Sequence, residues 1–489
     1  MRWMGVLELI AVEYATTAPD TMTVRRDWIR PCGLLLLALI SGSGYWSLWS
    51  MVGDRPGREV SVAVILLLLA FPYAAASWWI IAGPAPEQPL WRAVEWVVIV
   101  GGACVFLAMV FPFHPLLSDD LYRYVWDARL TSHHLSPYLL PPSAPALHYL
   151  RDGLIYPHLY WVHVPTIYPP GAQGLFLASY LALPSSEWAI KAEMLVFVAI
   201  LAVALGLLLQ AQGHDPRRII VVLWSPLLIV EVGMNGHVDA AAVALWVSAL
   251  TVSQHHRWRA ARPVVGVLLA LATLVKLYPA LLLLALARRR DRSLYLAFGL
   301  TLLLGYAPFL AEGIRAGGFL STYLSQVEGG VPLATQWLLS PVTSSAVPVY
   351  GVVLFLTGLV LVGVFIGRRR DALSAEMAVL VVVPAWLALS PQMLPWYAIA
   401  LLPLCAMFLK SPIVSPLGSL VFGLWIFLGV APLYYIANSG GPEWLVSVQY
   451  LVAAGAALGV YGAHRATYRP STGKSQARAN VRVVHEAAS

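Results

Sequence analysis

Long apolar stretches broken by short polar segments run through almost the whole chain. A membrane-spanning helix needs roughly 20 mostly apolar residues, whereas a run of 10 to 14 suits a re-entrant or interfacial segment. Sorted by that rule, the chain offers crossings near 33–52, 60–82, 93–113, 189–210, 219–234, 238–254, 294–311, 346–367, 374–390, 395–409, 414–432 and 444–462. Two regions break the pattern. Residues 171–183 form one short apolar run, expected to be re-entrant or interfacial. Residues 264–287 form a long run split by Lys276-Leu277-Tyr278-Pro279, which suits a hairpin of two half-length legs with Lys276 near its tip.

Composition narrows the class. Of the 489 residues, 59% are apolar and 11% charged, and mean hydropathy is +0.74. A soluble domain has roughly half apolar and a quarter charged residues. Neither a soluble nor a disordered protein fits, and the expectation is one all-α polytopic membrane body of roughly 12–14 helices. The net charge of +7 then reflects membrane orientation, with no nucleic-acid partner implied. Cys32, Cys104 and Cys405 lie in or beside apolar runs without paired spacing, so neither a disulfide nor a metal framework follows.

Basic residues orient the chain, because Lys and Arg concentrate in cytoplasmic loops. Arg25, Arg26 and Arg30 place the N-terminus inside. Arg217 and Arg218, Arg257 to Arg262, Arg288 to Arg292, Arg368 to Arg370 and the tail with Arg465, Arg469 and Lys474 then all fall inside, provided 171–183 does not cross. The expected organisation is a cytoplasmic tail (1–30), a membrane domain (31–462) with large outer loops at 114–188 and 312–345, and a disordered cytoplasmic tail (463–489). The first 30 residues hold no apolar core of a cleaved signal peptide, so the first crossing is expected to direct insertion. The proline- and aromatic-rich loop 114–188 is the expected active surface.

Candidate chemistry gathers on that outer side. In Ser118-Asp119-Asp120-Leu121-Tyr122-Arg123-Tyr124-Val125-Trp126-Asp127, a helix puts Asp120, Tyr124 and Asp127 on one face and lets Arg123 pair with Asp119 or Asp127. An interfacial helix with ion pairs would look the same, but adjacent acids near membrane depth are costly unless used or neutralised. Further elements are Thr166-Ile167-Tyr168-Pro169-Pro170 with Gln173, Glu231 followed by Asn235-Gly236-His237-Val238-Asp239, Lys276 with Tyr278, and Pro391-Gln392-Met393-Leu394-Pro395-Trp396-Tyr397. Each alone also reads as a turn, a cap, a snorkelling lysine or an aromatic belt. Together, aromatics and amides suit sugar rings, and Lys or Arg suits a lipid-linked phosphate.

In that order these motifs resemble the GT-C glycosyltransferase superfamily, in particular bacterial polyprenyl-phosphate-mannose-dependent mannosyltransferases. The likeness rests on 119–129 followed by Ser136-Pro137-Tyr138, on 166–173, on Trp224-Ser225-Pro226-Leu227 with Glu231 and 235–239, and on Val275-Lys276-Leu277-Tyr278-Pro279. It covers about residues 95–290. The resemblance implies an enzyme of the bacterial inner membrane with an extracytoplasmic site. It also implies a polyprenyl-phosphate sugar donor and inverting transfer, of mannose by family association, to a glycan or lipid hydroxyl of the cell envelope. Asp120 or Asp119 would be the catalytic acid residue of the first loop and Asp239 a second outer acid. Arg123 and Lys276 are expected to meet the leaving phosphate. Tyr124, Asp127, Tyr168, Gln173, Asn235, His237, Tyr278 and Trp396 are expected around the substrates. A divalent cation, Mg or Mn, held by Asp119 or Asp127 stays open. The competing reading is a flippase or transporter of lipid-linked sugars, which would more naturally carry polar groups in both halves of the membrane.

Overall fold

The computed structural model describes residues 27–51, 57–255, 258–317, 346–389, 393–413 and 415–467, and these contain helices and no strand. The principal helices are α1 (Ile29–Ser47), α2 (Arg58–Ala82), α3 (Pro89–Val110), α4 (Asp120–Ser132), α5 (Pro170–Ala182), α6 (Glu187–Ala211), α7 (Pro226–Met234), α8 (Asp239–Ser253), α9 (Ala261–Val275), α10 (Arg292–Tyr306), α11 (Ala346–Arg369), α12 (Ala375–Leu389), α13 (Pro395–Phe408), α14 (Pro416–Val430), α15 (Leu433–Asn438) and α16 (Trp444–Thr467). The chain is therefore an all-α polytopic membrane protein. The loop expected at 312–345 lies almost entirely outside the described residues, as do both distal tails.

Among the described residues six helices are long and apolar enough to cross alone, or seven if α7 and α8, bent by 119° at their junction, make one broken span. Helices of 13 to 15 residues, such as α9 and α14, reach only about 20 Å at 1.5 Å per residue, short of a hydrocarbon core of about 30 Å. Broken backbone is tolerated at membrane depth where protein buries it or a cavity accepts its polar groups. Here the breaks fall at the polar motifs.

The two irregular regions follow from local chemistry. Pro170 occupies the first turn of α5, where the missing N–H is harmless. At one end of α5 Gly171 abuts Leu274, two residues before Lys276, and toward the other Ser179 donates to Glu193 of α6 at 2.6 Å. A Cβ at position 171 would meet Leu274 at 2.6 Å, so a glycine is needed there. After α9 the backbone turns extended at Lys276 (φ −141°, ψ 144°) and returns through 278–286. Arg262, at the start of α9, donates to the Leu286 carbonyl at 2.8 Å, so the two legs meet at their base with Lys276 at the tip.

At the end of the bundle away from Asp120, Glu95 of α3 is fully buried between two guanidinium groups. It pairs with Arg30 of α1 at 3.0 Å and with Arg217, which also bonds Asp215 (Nε to Oδ1, 2.9 Å). The network ties α1, α3 and the turn before α7 together. Removing one partner leaves a buried charge uncompensated, which costs about 3–5 kcal/mol. Glu95→Ala should therefore lower stability by about that amount, read as a fall in the thermal midpoint in detergent. An unchanged midpoint would show that the network contributes nothing to folding.

Candidate active site

The site begins where α3 hands over to α4. Lys191 of α6, fully buried, donates to the carbonyls of Phe111 and Phe113 (2.6 Å to the latter) and lies over the rings of Phe111 and Trp188. Three residues further on, the N–H groups of Leu116 and Leu117 donate to Asn235 Oδ1 at 3.3 and 3.4 Å. These contacts lay the start of α4 across the junction of α7 and α8. That junction is a π-helical turn, Ile229–Met234, followed by Gly236 at φ +70°. The left-handed backbone suits glycine, and a Cβ there would strike Leu121 at 2.8 Å.

The junction gathers polar groups that are otherwise costly in an apolar bundle. Glu231, Asn235 and His237 are fully buried, and Asp239 is 3% exposed. Asn235 Nδ2 donates to Glu231 Oε2 at 3.0 Å, and the Tyr435 hydroxyl donates to Glu231 Oε1. His237 lies between two acids, with Nε2 3.4 Å from Glu231 Oε2 and Nδ1 3.7 Å from Asp120 Oδ2. Its ring stacks on Trp396 at 4.2 Å and 13°. Asp120 is the member of this row that solvent reaches, with a side chain 35% exposed.

A second wall is built around the hairpin tip. Lys276 Nζ donates to Asp239 Oδ1 at 2.7 Å and lies 4.2 Å over the Tyr397 ring, which neighbours Trp396 at 6.0 Å. Tyr124 stacks on Phe176 at 4.3 Å and meets Tyr168 edge-on at 4.9 Å, forming an aromatic flank. A continuous row thus runs from Asp120 through His237, Trp396 and Tyr397 to Lys276 and Asp239.

Other expected site residues have structural posts. Arg123 bonds Asp127 at 2.9 Å and the carbonyls of Trp161 and Val164 at 3.2 and 3.1 Å. Asp127 is fully buried and also accepts from Gln173 (3.1 Å), which reaches Thr166 as well. These three hold the proline-rich loop on α4. Asn235 is a strut. Tyr278 is 7% exposed, stacks on Trp386 at 3.9 Å, and accepts from Trp246 Nε1 at 3.1 Å. Asp119 is exposed at the N-terminal edge of α4, and Pro391 and Gln392 lie outside the described residues. Glu231 stood in a motif without a role. Tyr435 was missed altogether, since nothing around it in sequence distinguishes it from an aromatic belt.

Among the described residues no group of three or more His, Cys, Asp or Glu is arranged to hold a metal ion. Asp239 is engaged by Lys276 and Asp127 by Arg123, which leaves Asp119 and Asp120 as a poor donor set for a divalent cation.

Residues 34–289, just over half the chain, match the family model for the MptA/MptB family, described as alpha-(1→6)-mannopyranosyltransferase, N-terminal domain. The chain belongs to this family. As a mannosyltransferase-family protein with several apolar helices, it is a membrane glycosyltransferase that would use a sugar donor and an acceptor. No curated protein and no solved structure matches it. The matched segment of this mannosyltransferase contains Asp120, Glu231, His237, Asp239 and Lys276, whereas Trp396, Tyr397 and Tyr435 come from the later helices.

The loop beside the site carries its own acid-sensitive clamp. Burial alone would raise the Asp152 pKa, but the hydrogen bond from Arg129 (2.5 Å) and the N–H groups of Ile155 and Tyr156 hold it down at about 2. A depressed carboxyl pKa contributes stability that is present above the unfolded value of about 3.9 and is lost as pH falls toward the folded value. Hydrogen exchange in residues 150–161, corrected for intrinsic rates, should therefore rise as pH drops from about 4 to about 2. Asp152→Asn should show the faster exchange already at neutral pH. Equal protection in both proteins across that window would disconnect the clamp from the loop.

Proposed function

We propose that this mannosyltransferase moves a mannosyl group from a polyprenyl-phosphate donor to a hydroxyl of a lipid or glycan acceptor, with inversion, on the extracytoplasmic face. The observation that carries the reading is the row joining a solvent-reachable carboxylate, Asp120, to a lysine at a hairpin tip, Lys276, at one end of an otherwise apolar bundle. Sidedness is supported by the basic loops. Arg217 and Arg262 sit at the end away from Asp120, and basic loops favour the cytoplasm.

In the proposed step the acceptor oxygen attacks the anomeric carbon while its proton passes to Asp120. The bond from the anomeric carbon to the phosphate oxygen breaks, and its electron pair leaves with the lipid phosphate. Asp120 later returns the proton to water. A single displacement inverts the centre and needs no covalent enzyme intermediate. Lys276 directs one of its three N–H donors at Asp239, so a phosphate oxygen can take another. Tyr397, Trp396, Tyr124 and Tyr168 offer ring faces to the sugar. The family description points to an α-(1→6) linkage as the product to look for first.

Transfer of labelled mannose from a polyprenyl phosphate in membranes tests the roles. Asp120→Asn should lower the rate about 10²- to 10⁴-fold, the usual worth of a general base, while Asp119→Asn retains most activity. Lys276→Met should weaken use of the donor about 10- to 100-fold, as loss of a charged hydrogen bond does. Wild-type transfer by Asp120→Asn would remove that carboxylate from the mechanism.

A further inference from the structure

The Glu231–His237 pair lies behind the residue proposed as base, and nothing in the step above uses it. A carboxylate can only accept hydrogen bonds, so an imidazole that faces one carboxylate through each nitrogen satisfies both only when both nitrogens carry protons. His237 is in that position, 3.4 Å from Glu231 on one side and 3.7 Å from Asp120 on the other, with no exposed surface. Among the described residues neither ring nitrogen has a hydrogen-bond partner within normal range, so the two acids are what they face. The flat indole of Trp396 against the ring favours a cation as well. Glu231 in turn is fixed as an acceptor by two donors, Asn235 Nδ2 and the Tyr435 hydroxyl, which leave its Oε2 edge toward His237.

We infer that His237, held by Glu231 and Tyr435, is a positioning residue for Asp120. It donates through Nδ1 to Asp120 Oδ2 and so turns Oδ1 to the acceptor hydroxyl. The buried Glu231 carboxylate keeps the second proton on Nε2 and offsets the charge that the imidazole would otherwise hold unpaired in the bundle. The long Nδ1 contact closes when acceptor fills the mouth, since catalytic hydrogen bonds in substrate-free sites are often long. This inference rests on the reading of Asp120 as the base and adds to it the groups that set its orientation and charge.

A cation beside a carboxylate favours its ionised form. Asp120 is also faced by Asp119 along the chain, by Tyr124 and Tyr168 across the mouth, and by Tyr435 beyond Glu231. None of these supplies positive charge; Arg58 and His158 act on the neighbouring Asp119, Lys276 is engaged by Asp239, and His237 is the group whose nitrogen faces the Asp120 carboxylate. Removing it should therefore move the acid limb of kcat/KM to higher pH, an effect that a purely structural role would not produce.

The experiment measures kcat, acceptor KM and the pH profile of transfer for His237→Gln, Glu231→Gln and Tyr435→Phe beside Asp120→Asn, each in purified full-length protein with its thermal midpoint. His237→Gln and Glu231→Gln should lower kcat about 10- to 100-fold with acceptor KM little changed, because the lost interaction acts on the attacking geometry. His237→Gln should also shift the acid limb upward. Tyr435→Phe, which removes one hydroxyl and leaves the packing, should give a smaller fall in kcat with an unchanged midpoint, and it decides the matter if the Glu231 variant does not fold. Wild-type kcat and acid limb in His237→Gln, with Asp120→Asn inactive, overturn the positioning role and leave the base in place. An active Asp120→Asn overturns the base itself, and the positioning role with it.

Discussion

One amide side chain holds the candidate site together. Asn235 accepts the two N–H groups that end the run from α3 and donates to the acid buried behind it. The start of α4 and the α7–α8 junction are thereby fixed against one another, and the carboxylate of Asp120 comes to lie beside the imidazole of His237. All four side-chain hydrogen-bonding positions of a buried amide are hard to satisfy in an apolar bundle, and three of them are used here among the described residues. Without that cross-link the 119° bend between α7 and α8 would have no reason to face the loop.

The broken helices have the same origin. A backbone that leaves helical geometry at membrane depth exposes N–H and C=O groups that lipid cannot satisfy. The chain confines such breaks to places where protein or a polar mouth takes them up: the π-helical turn before Asn235, the extended residue Lys276, and the proline-opened helix α5. The aromatic side chains around them do two things at once. Trp396 and Tyr397 cover the apolar side of the polar row, and they place ring faces against His237 and Lys276. At the other end of the molecule, Glu95 and its two arginines tie helices together, with Glu95 fully buried.

Much of this was readable from residue order, for physical reasons that differ by element. The all-α membrane class followed from the scarcity of charge. The shortness of helix α5 followed from its run of apolar residues, and the Lys276 hairpin from the charges on either side of residues 264–287. Apolar runs alone leave the number of crossings open. A run of 15 apolar residues looks alike whether it spans lipid or lines a protein interior, and only contacts distinguish the two. The same holds for Arg123, Asn235 and Tyr278, whose chemistry fits substrate as well as the internal hydrogen bonds they make. Tyr435 lies about 200 residues from its partner Glu231, and no local pattern announces such a meeting.

A structure of the full-length protein bound to a polyprenyl phosphate probes the arrangement most directly. The account places the phosphate against Lys276, with Asp120 facing the same cavity from the far side of the space a sugar would fill. Phosphate density at the Arg30–Glu95–Arg217 end, or an Asp120 walled off from the lipid-bearing cavity, would contradict it.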